Sequence, residues 1–236
     1  STDLTRELAS ARSAVVFALP LDDEKVEAYM GKIDHSAYQK DYIDTNTRAI
    51  GLSAEVAHVL RGQGFESAPV HAGNTASGGD GRDTSPQNEA QREAAETYPA
   101  HPSEGLMGSI PILSQRFLAA ASGVGFFGRS GNILTESHGA TVVLGAAVTA
   151  AELPATPVLP PEANYCDDCN WCGNVCPTTF MSSTERTVVQ LGEQRHHYAK
   201  RLHHARCGMH MAGQAGLSEN GKFSSWGPGR KQMPKD

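Results

Sequence analysis

The spacing of the cysteines constrains this chain more than any other feature. Cys166, Cys169, Cys172 and Cys176 fall within eleven residues, and Pro177 follows the last of them. Thiolates two residues apart let one tight loop wrap three corners of a cubane while nearby amides face its sulfides. The run matches the bacterial ferredoxin pattern C-x2-C-x2-C-x3-C-P, in which the fourth cysteine serves a different cluster from the first three. Two full cubanes need more thiolates than the five cysteines present, so one 4Fe–4S cluster is expected. Cys166, Cys169 and Cys172 are expected to hold three irons. The fourth ligand is either Cys176, near in sequence, or Cys207, arriving from a distance. A zinc site of Cys166, Cys169, Cys207 and His210 has ordinary ligand spacing, but it leaves Cys172, Cys176 and Pro177 without a role. Such crowding suits metal binding better than a secreted disulfide framework. Thiols that wait for metal favour a reducing compartment, and a cytoplasmic location is expected.

A chain of 236 residues can bury one sizeable core and carry a small appendage. Its net charge of −6 argues against a nucleic-acid partner held by a general basic field. The richest apolar stretch, Gly139 to Ala151, is too short to span a bilayer. The first residues show no basic-then-apolar leader pattern.

Ser13 to Leu19 is a short apolar run stopped by Pro20, the pattern of a buried strand. A helical period runs from about Ser36 to Arg61 through Tyr38, Tyr42, Ala49, Leu52, Val56 and Leu60, and Gly62 and Gly64 end it. Phe65 to Val70 is expected to be a second strand. Strand, long helix, strand is an α/β (α+β) opening. Residues 73–97 are rich in Gly, Ser, Asn and charge, which suits a surface insertion or a lid, with a short helix near Glu89 to Glu96. A helix over 112–121 leads to a glycine-rich turn, Gly123 to Gly131. A strand at 132–134, a turn at Glu136 to Gly139 and a strand at 141–149 follow. Pro154, Pro157, Pro160 and Pro161 then make a stiff linker into the cysteines.

With the cluster placed, further segments resemble, in order, the cobalamin-dependent iron–sulfur reductases, the group of epoxyqueuosine reductase and the reductive dehalogenases. Ala14 to Pro20 resembles their opening strand, and Tyr38-Gln39-Lys40-Asp41-Tyr42 their tyrosine-bearing helix. Leu60-Arg61-Gly62-Gln63-Gly64-Phe65 resembles the arginine–glycine turn before the next strand. Ser122-Gly123-Val124-Gly125-Phe126-Phe127-Gly128-Arg129-Ser130-Gly131 resembles the glycine-rich signature. The resemblance covers most of residues 11–215. It implies a nitroreductase-like cobalamin-binding domain over 1–155, followed by a small ferredoxin-like 4Fe–4S segment and tail over 156–236. It also implies electrons passing from cluster to cobalt. Gly123, Gly125, Gly128, Arg129, Ser130 and Gly131 are then expected to face the cofactor, because backbone without side chains approaches a macrocycle or its phosphate tail closely.

The sequence departs from that group in two places. A second cysteine motif survives only as Cys207, with His210 and Gln214 where cysteines are expected, and Gly108 stands where epoxyqueuosine reductases carry an aspartate. Reductive dehalogenases use a tyrosine as proton donor, which makes Tyr42 the candidate here, with Tyr38 on the same helix face and Arg129 as its positive neighbour or an anion anchor. His196, His203 and His204 are expected on one face of a solvated helix. Trp171 is expected to shield the cluster from water. Two functions compete: a cobalamin- and 4Fe–4S-dependent reductase, or a non-catalytic cobalamin-binding or electron-transfer protein. The expected partners are a small-molecule substrate or a redox protein of ferredoxin or flavodoxin type.

Overall fold

The computed structural model describes residues 2–31, 33–70, 113–176, 178–202 and 207. The expected insertion at 73–97, Gly108, His203, His204 and His210 lie outside them. The described chain is α+β. Strand β1 (Ser13–Pro20) leads to helices α1 (Asp23–Met30) and α2 (His35–Gly62), then strand β2 (Ser67–Val70). Later come α3 (Gln115–Ala121), β3 (Phe126–Phe127), β4 (Ile133–Leu134) and β5 (Val142–Thr149). A one-turn helix α4 (Trp171–Asn174) precedes the long strands β6 (Met181–Leu191) and β7 (Gln194–Arg201).

The strand–helix–strand opening is present, but β1 and β2 do not pair with each other. The order is β1-β5-β2, with β5 antiparallel to both neighbours. β1 and β2 therefore run parallel on either side of a strand that arrives far later, a split β-α-β arrangement. Central β5 is built of small and β-branched residues, and Ala146, Ala147, Val148 and Thr149 are all 0% exposed.

Helix α2 starts where the Asp34 side chain accepts the Ala37 amide at 3.0 Å. It buries Thr45, Ala49, Ser53 and Ala57, a stripe of small residues at four-residue spacing that lets its backbone approach the sheet. The Ser53 hydroxyl donates to Ala49 O at 2.8 Å, so the stripe buries no unsatisfied group there. Helix α1 has no buried residue, and charges fasten it instead. Asp41 accepts from Asp22 N at 2.9 Å and from Lys25 Nζ at 3.1 Å, and Tyr29 stacks on Tyr38 at 4.4 Å.

A second apolar cluster joins distant parts of the chain. Ala119 and Ala120 of α3, Phe127, Ile133 and Tyr198 are buried together, with Val189 and Leu191 against them. Tyr198 stacks on Phe127 at 5.3 Å, and Phe117 meets Phe127 edge-on at 5.7 Å. The hairpin after the cysteines thus shares a core with the glycine-rich segment before them. Phe126 and Phe127, read as part of a turn, form β3 and pair with Leu134 and Ile133.

The helical reading is corrected for His196, and the neighbouring His197 shares its strand. His196 and His197 lie on β7, paired with Val189 and Val188. The β-branched run Thr187-Val188-Val189 and the turn at Gly192-Glu193 decide the structure over the spacing of the histidines. Gly192 takes φ +59°, the left-handed position such a two-residue turn requires. Among the described residues no helix is long and apolar enough to cross a membrane.

A Cβ at Gly145 of β5 would sit 2.4 Å from the Phe17 ring and 3.1 Å from Ser53 Oγ. Gly145→Val is expected to destabilise the fold by about 1–3 kcal/mol through overpacking. Urea denaturation checks this; an unchanged midpoint would show that β1, β5 and α2 are not packed this closely.

Candidate functional site

The cysteine loop is fastened to the fold before its first sulfur. Asn164 donates through Nδ2 to Phe127 O at 3.2 Å and accepts the Cys166 amide on Oδ1 at 3.1 Å. The Tyr165 hydroxyl donates to Thr135 O at 2.8 Å. These bonds bring Cys166 Sγ beside the glycine-rich segment, where the Arg129 amide donates to it at 3.2 Å. At the other end of the loop, the Phe180 amide donates to Cys176 Sγ at 3.3 Å, with Thr178 Oγ1 at 3.4 Å. Amides aimed at sulfur stabilise negative charge there, as thiolate ligands of iron require.

Between these anchors the backbone turns sharply. Asp168, Asn170 and Thr179 have φ of 59°, 64° and 51°. Asp and Asn tolerate this region because their side chains bond locally. Asn170 does so here, donating through Nδ2 to Asn174 Oδ1 at 3.1 Å, and next to Asp168 the Asp167 side chain accepts the Cys169 amide at 3.0 Å. Strain of this kind clusters at ligand-gripping sites.

All five cysteines are free, and their electrostatics divide them. Burial pushes the Cys172 thiol up, the Gly173 amide opposes that, Cys166 and Cys169 add to it, and Arg129 opposes it. Burial likewise raises Cys207, with Cys176 adding and Arg201 opposing. Cys166, Cys169 and Arg129 thus bear on Cys172, and Cys176 and Arg201 bear on Cys207. Among the described residues no three His, Cys, Asp or Glu side chains are close enough together to hold a metal ion. Thiolates repel one another, so closing such a loop and loading metal are one coupled event. The donor set itself, free thiols with amides directed at two sulfurs, fits an iron–sulfur group.

Arg129 is the hub of the site. Its side chain is only 9% exposed. It lies 3.6 Å from Asp168 and donates to Ser183 O at 2.9 Å, while its carbonyl accepts the Ala199 amide at 2.9 Å. Asp168 also pairs with Arg186 at 3.0 Å. Arg129, Phe127, Cys166, Asp168, Arg195 and His196 help to line an open cleft of about 150 Å³. Arg129 Nε and His196 Nε2 are both buried without a hydrogen-bond partner. Burial, and then His197, hold the His196 imidazole below its ordinary range, which favours its neutral form.

The other expected site residues are placed differently. A Cβ at Gly125 would meet Leu134 O at 2.5 Å, and one at Gly128 would meet the Leu134 side chain at 2.8 Å. At Gly123 it would meet Pro157 O at 2.4 Å. Ser130 Oγ accepts the Asn132 amide at 3.2 Å. These residues press on protein, and close packing accounts for the glycines. Tyr38 and Tyr42, with rings 6.1 Å apart, pack around Leu21, Ala49 and Val143. Burial raises the Tyr38 hydroxyl. Neither tyrosine lines the cleft that holds Arg129. The Trp171 side chain, expected to shield the cluster, stands 71% exposed on a one-turn helix. Sequence reading missed Arg201, Arg116 and Phe180; only the position of Phe180, four residues after Cys176, was a local signal.

No protein-family model matches the chain. It is similar to three curated proteins named epoxyqueuosine reductase. The one from Synechococcus sp. (strain RCC307) is 36% identical over 81 residues, 34% of this chain and 24% of that protein. That from Atelocyanobacterium thalassa (isolate ALOHA) is 35% identical over 28% of this chain and 21% of its own length. That from Gloeobacter violaceus (strain ATCC 29082 / PCC 7421) is 33% identical over 29% and 21%. The chain thus spans about a quarter of the length of the curated relatives it matches.

Asp168→Asn keeps a side chain that tolerates the left-handed backbone but strands Arg129 without its counter-ion. The expected cost is about 1–3 kcal/mol, between the surface and buried limits. Thermal unfolding of the two proteins at one pH measures it; equal stability would mean Arg129 does not depend on Asp168.

Proposed function

We propose that this chain is an iron–sulfur reductase that works with cobalamin, related to the epoxyqueuosine reductases. The observation that carries the reading is the cysteine loop, whose first and fourth sulfurs already accept amides from Arg129 and Phe180. The names of the three relatives support a reductase. Under this reading residues 1–155 act as a nitroreductase-like cobalamin-binding domain and residues 156–236 as a ferredoxin-like segment.

Cys166, Cys169 and Cys172 hold three corners of one 4Fe–4S cluster, and the Cys176–Cys207 pair supplies the fourth thiolate. Bound here, a cluster supplies single electrons and cobalamin supplies a low-valent cobalt centre. Arg129 steadies Cys166 through its amide and covers the loop with its guanidinium. The cleft beside Cys166 receives the ligand: Phe126, Phe127 and Leu159 give it an apolar wall, and Arg129 and His196 give it donors. Tyr42 is the proton donor, and the partner is a small-molecule substrate or a ferredoxin- or flavodoxin-type protein.

One observation favours the second reading, a non-catalytic carrier of cobalamin or electrons: among the described residues Tyr42 packs away from the cleft. Anaerobically purified protein is expected to contain iron and labile sulfide and to show cob(II)alamin bands after reconstitution. Ser replacements at Cys166, Cys169 and Cys172 should each abolish the cluster spectrum. Zinc without sulfide would end the proposal, and failure to bind cobalamin would reduce it to an electron carrier. Tyr42→Phe separates the two readings: turnover lost with both cofactors retained means the enzyme, while unchanged turnover removes Tyr42 from the chemistry.

A further inference from the structure

Two arginines converge on one backbone oxygen behind the cysteine loop. Arg116 of α3 donates through Nη1 to Gly131 O at 2.5 Å, and Arg201 of β7 donates through Nη2 to the same oxygen at 3.0 Å. Among the described residues neither guanidinium has a carboxylate within ion-pair reach. Arg201 Nε is buried with no hydrogen-bond partner. Burial and the charge of Arg116 push Arg201 down to about 10. One carbonyl dipole cannot offset two partly buried like charges, so the arrangement calls for a negative group nearby.

The protein shows where that group belongs. Arg201 lies over the Phe180 ring at 5.6 Å and the Tyr198 ring at 5.8 Å. Phe180 is the residue whose amide reaches Cys176 Sγ at 3.3 Å. One residue therefore links the guanidinium to the sulfur, and the charge of Cys207 also favours the Arg201 cation. Gly131 is the seat: its φ is +75°, and a Cβ there would lie 3.0 Å from Arg201 Nη2 and 2.9 Å from the Tyr198 ring. The last glycine of the glycine-rich segment thus holds its left-handed turn against the Tyr198 ring and an arginine seventy residues away.

We propose that Arg201, backed by Arg116, is the counter-charge of the iron–sulfur centre on its Cys176–Cys207 side and raises its reduction potential. The inference rests on the reading that a cluster is held by this loop. A cluster gains negative charge on reduction, so a fixed cation beside it favours the reduced form, and net charge around a cluster is one of the quantities that set its potential. Arg201 acts through the field at the sulfurs and is a positioning and electrostatic residue.

The test is a redox titration of the reconstituted protein, followed by electron paramagnetic resonance, on wild type, Arg201→Gln, Arg201→Lys and Arg116→Gln. Iron and sulfide in wild type come first; their absence defeats the underlying reading and this inference with it, whereas a loaded wild type lets the variants test this inference alone. With wild type loaded, Arg201→Gln is expected to shift the oxidised-to-reduced ratio at fixed poise by about tenfold toward oxidised, the scale of one short-range charge in a protein interior. Tenfold corresponds to about 59 mV for a one-electron couple. Arg201→Lys keeps the charge and should restore most of the shift, which a purely structural role would not do. If Arg201→Gln fails to load, Arg116→Gln decides, with a smaller shift of the same sign expected. A loaded variant at the wild-type potential overturns the proposal, and so does loss of folding in both glutamine variants.

Discussion

The amide of Arg129 donates to Cys166 Sγ at 3.2 Å, and much of the described structure serves to keep it there. The same residue gives its carbonyl to Ala199 of the hairpin and its guanidinium to Ser183 and Asp168. Just before it, Phe127 lies in the aromatic stack with Phe117 and Tyr198. A sulfur held by this amide inherits the rigidity of a packed core, although the loop carrying it runs at the surface. Side chains on rigid elements are held more closely in place than those on free loops.

What the sequence made legible was local. The run Ser13 to Leu19 and the period from Ser36 to Arg61 report burial in their own spacing, and the elements lie where those patterns put them. The insertion of β5 between β1 and β2 left no trace in the opening segment, because pairing depends on a strand that arrives over seventy residues after β2 ends. The histidines misled because their separations fit a helical face, whereas the β-branched residues and the Gly192 turn beside them carry the stronger conformational preference. Cysteine spacing revealed a ligand loop. It could not reveal Arg201, since an arginine in a polar strand reads as a solvated one until the fold buries it.

The glycine-rich segment teaches a related lesson. Its spacing resembles a cradle, and backbone without side chains is what a cradle needs. In the fold the missing side chains make room for Leu134, Pro157, Tyr198 and Arg201. The segment is compressed between the short β3–β4 pair and the hairpin, and from there its amide reaches the sulfur. A motif can therefore lie beside the chemistry while its glycines answer to packing, and the two roles separate only when each Cβ position is tested against its neighbours.

The exposed indole of Trp171 has a practical consequence. It stands 71% open to water within one residue of Cys172 and two of Cys169. A solvated indole fluoresces at long wavelength, and a strongly absorbing chromophore at such short range drains that emission by energy transfer. The chain therefore carries an intrinsic optical gauge of what its neighbouring thiols are holding.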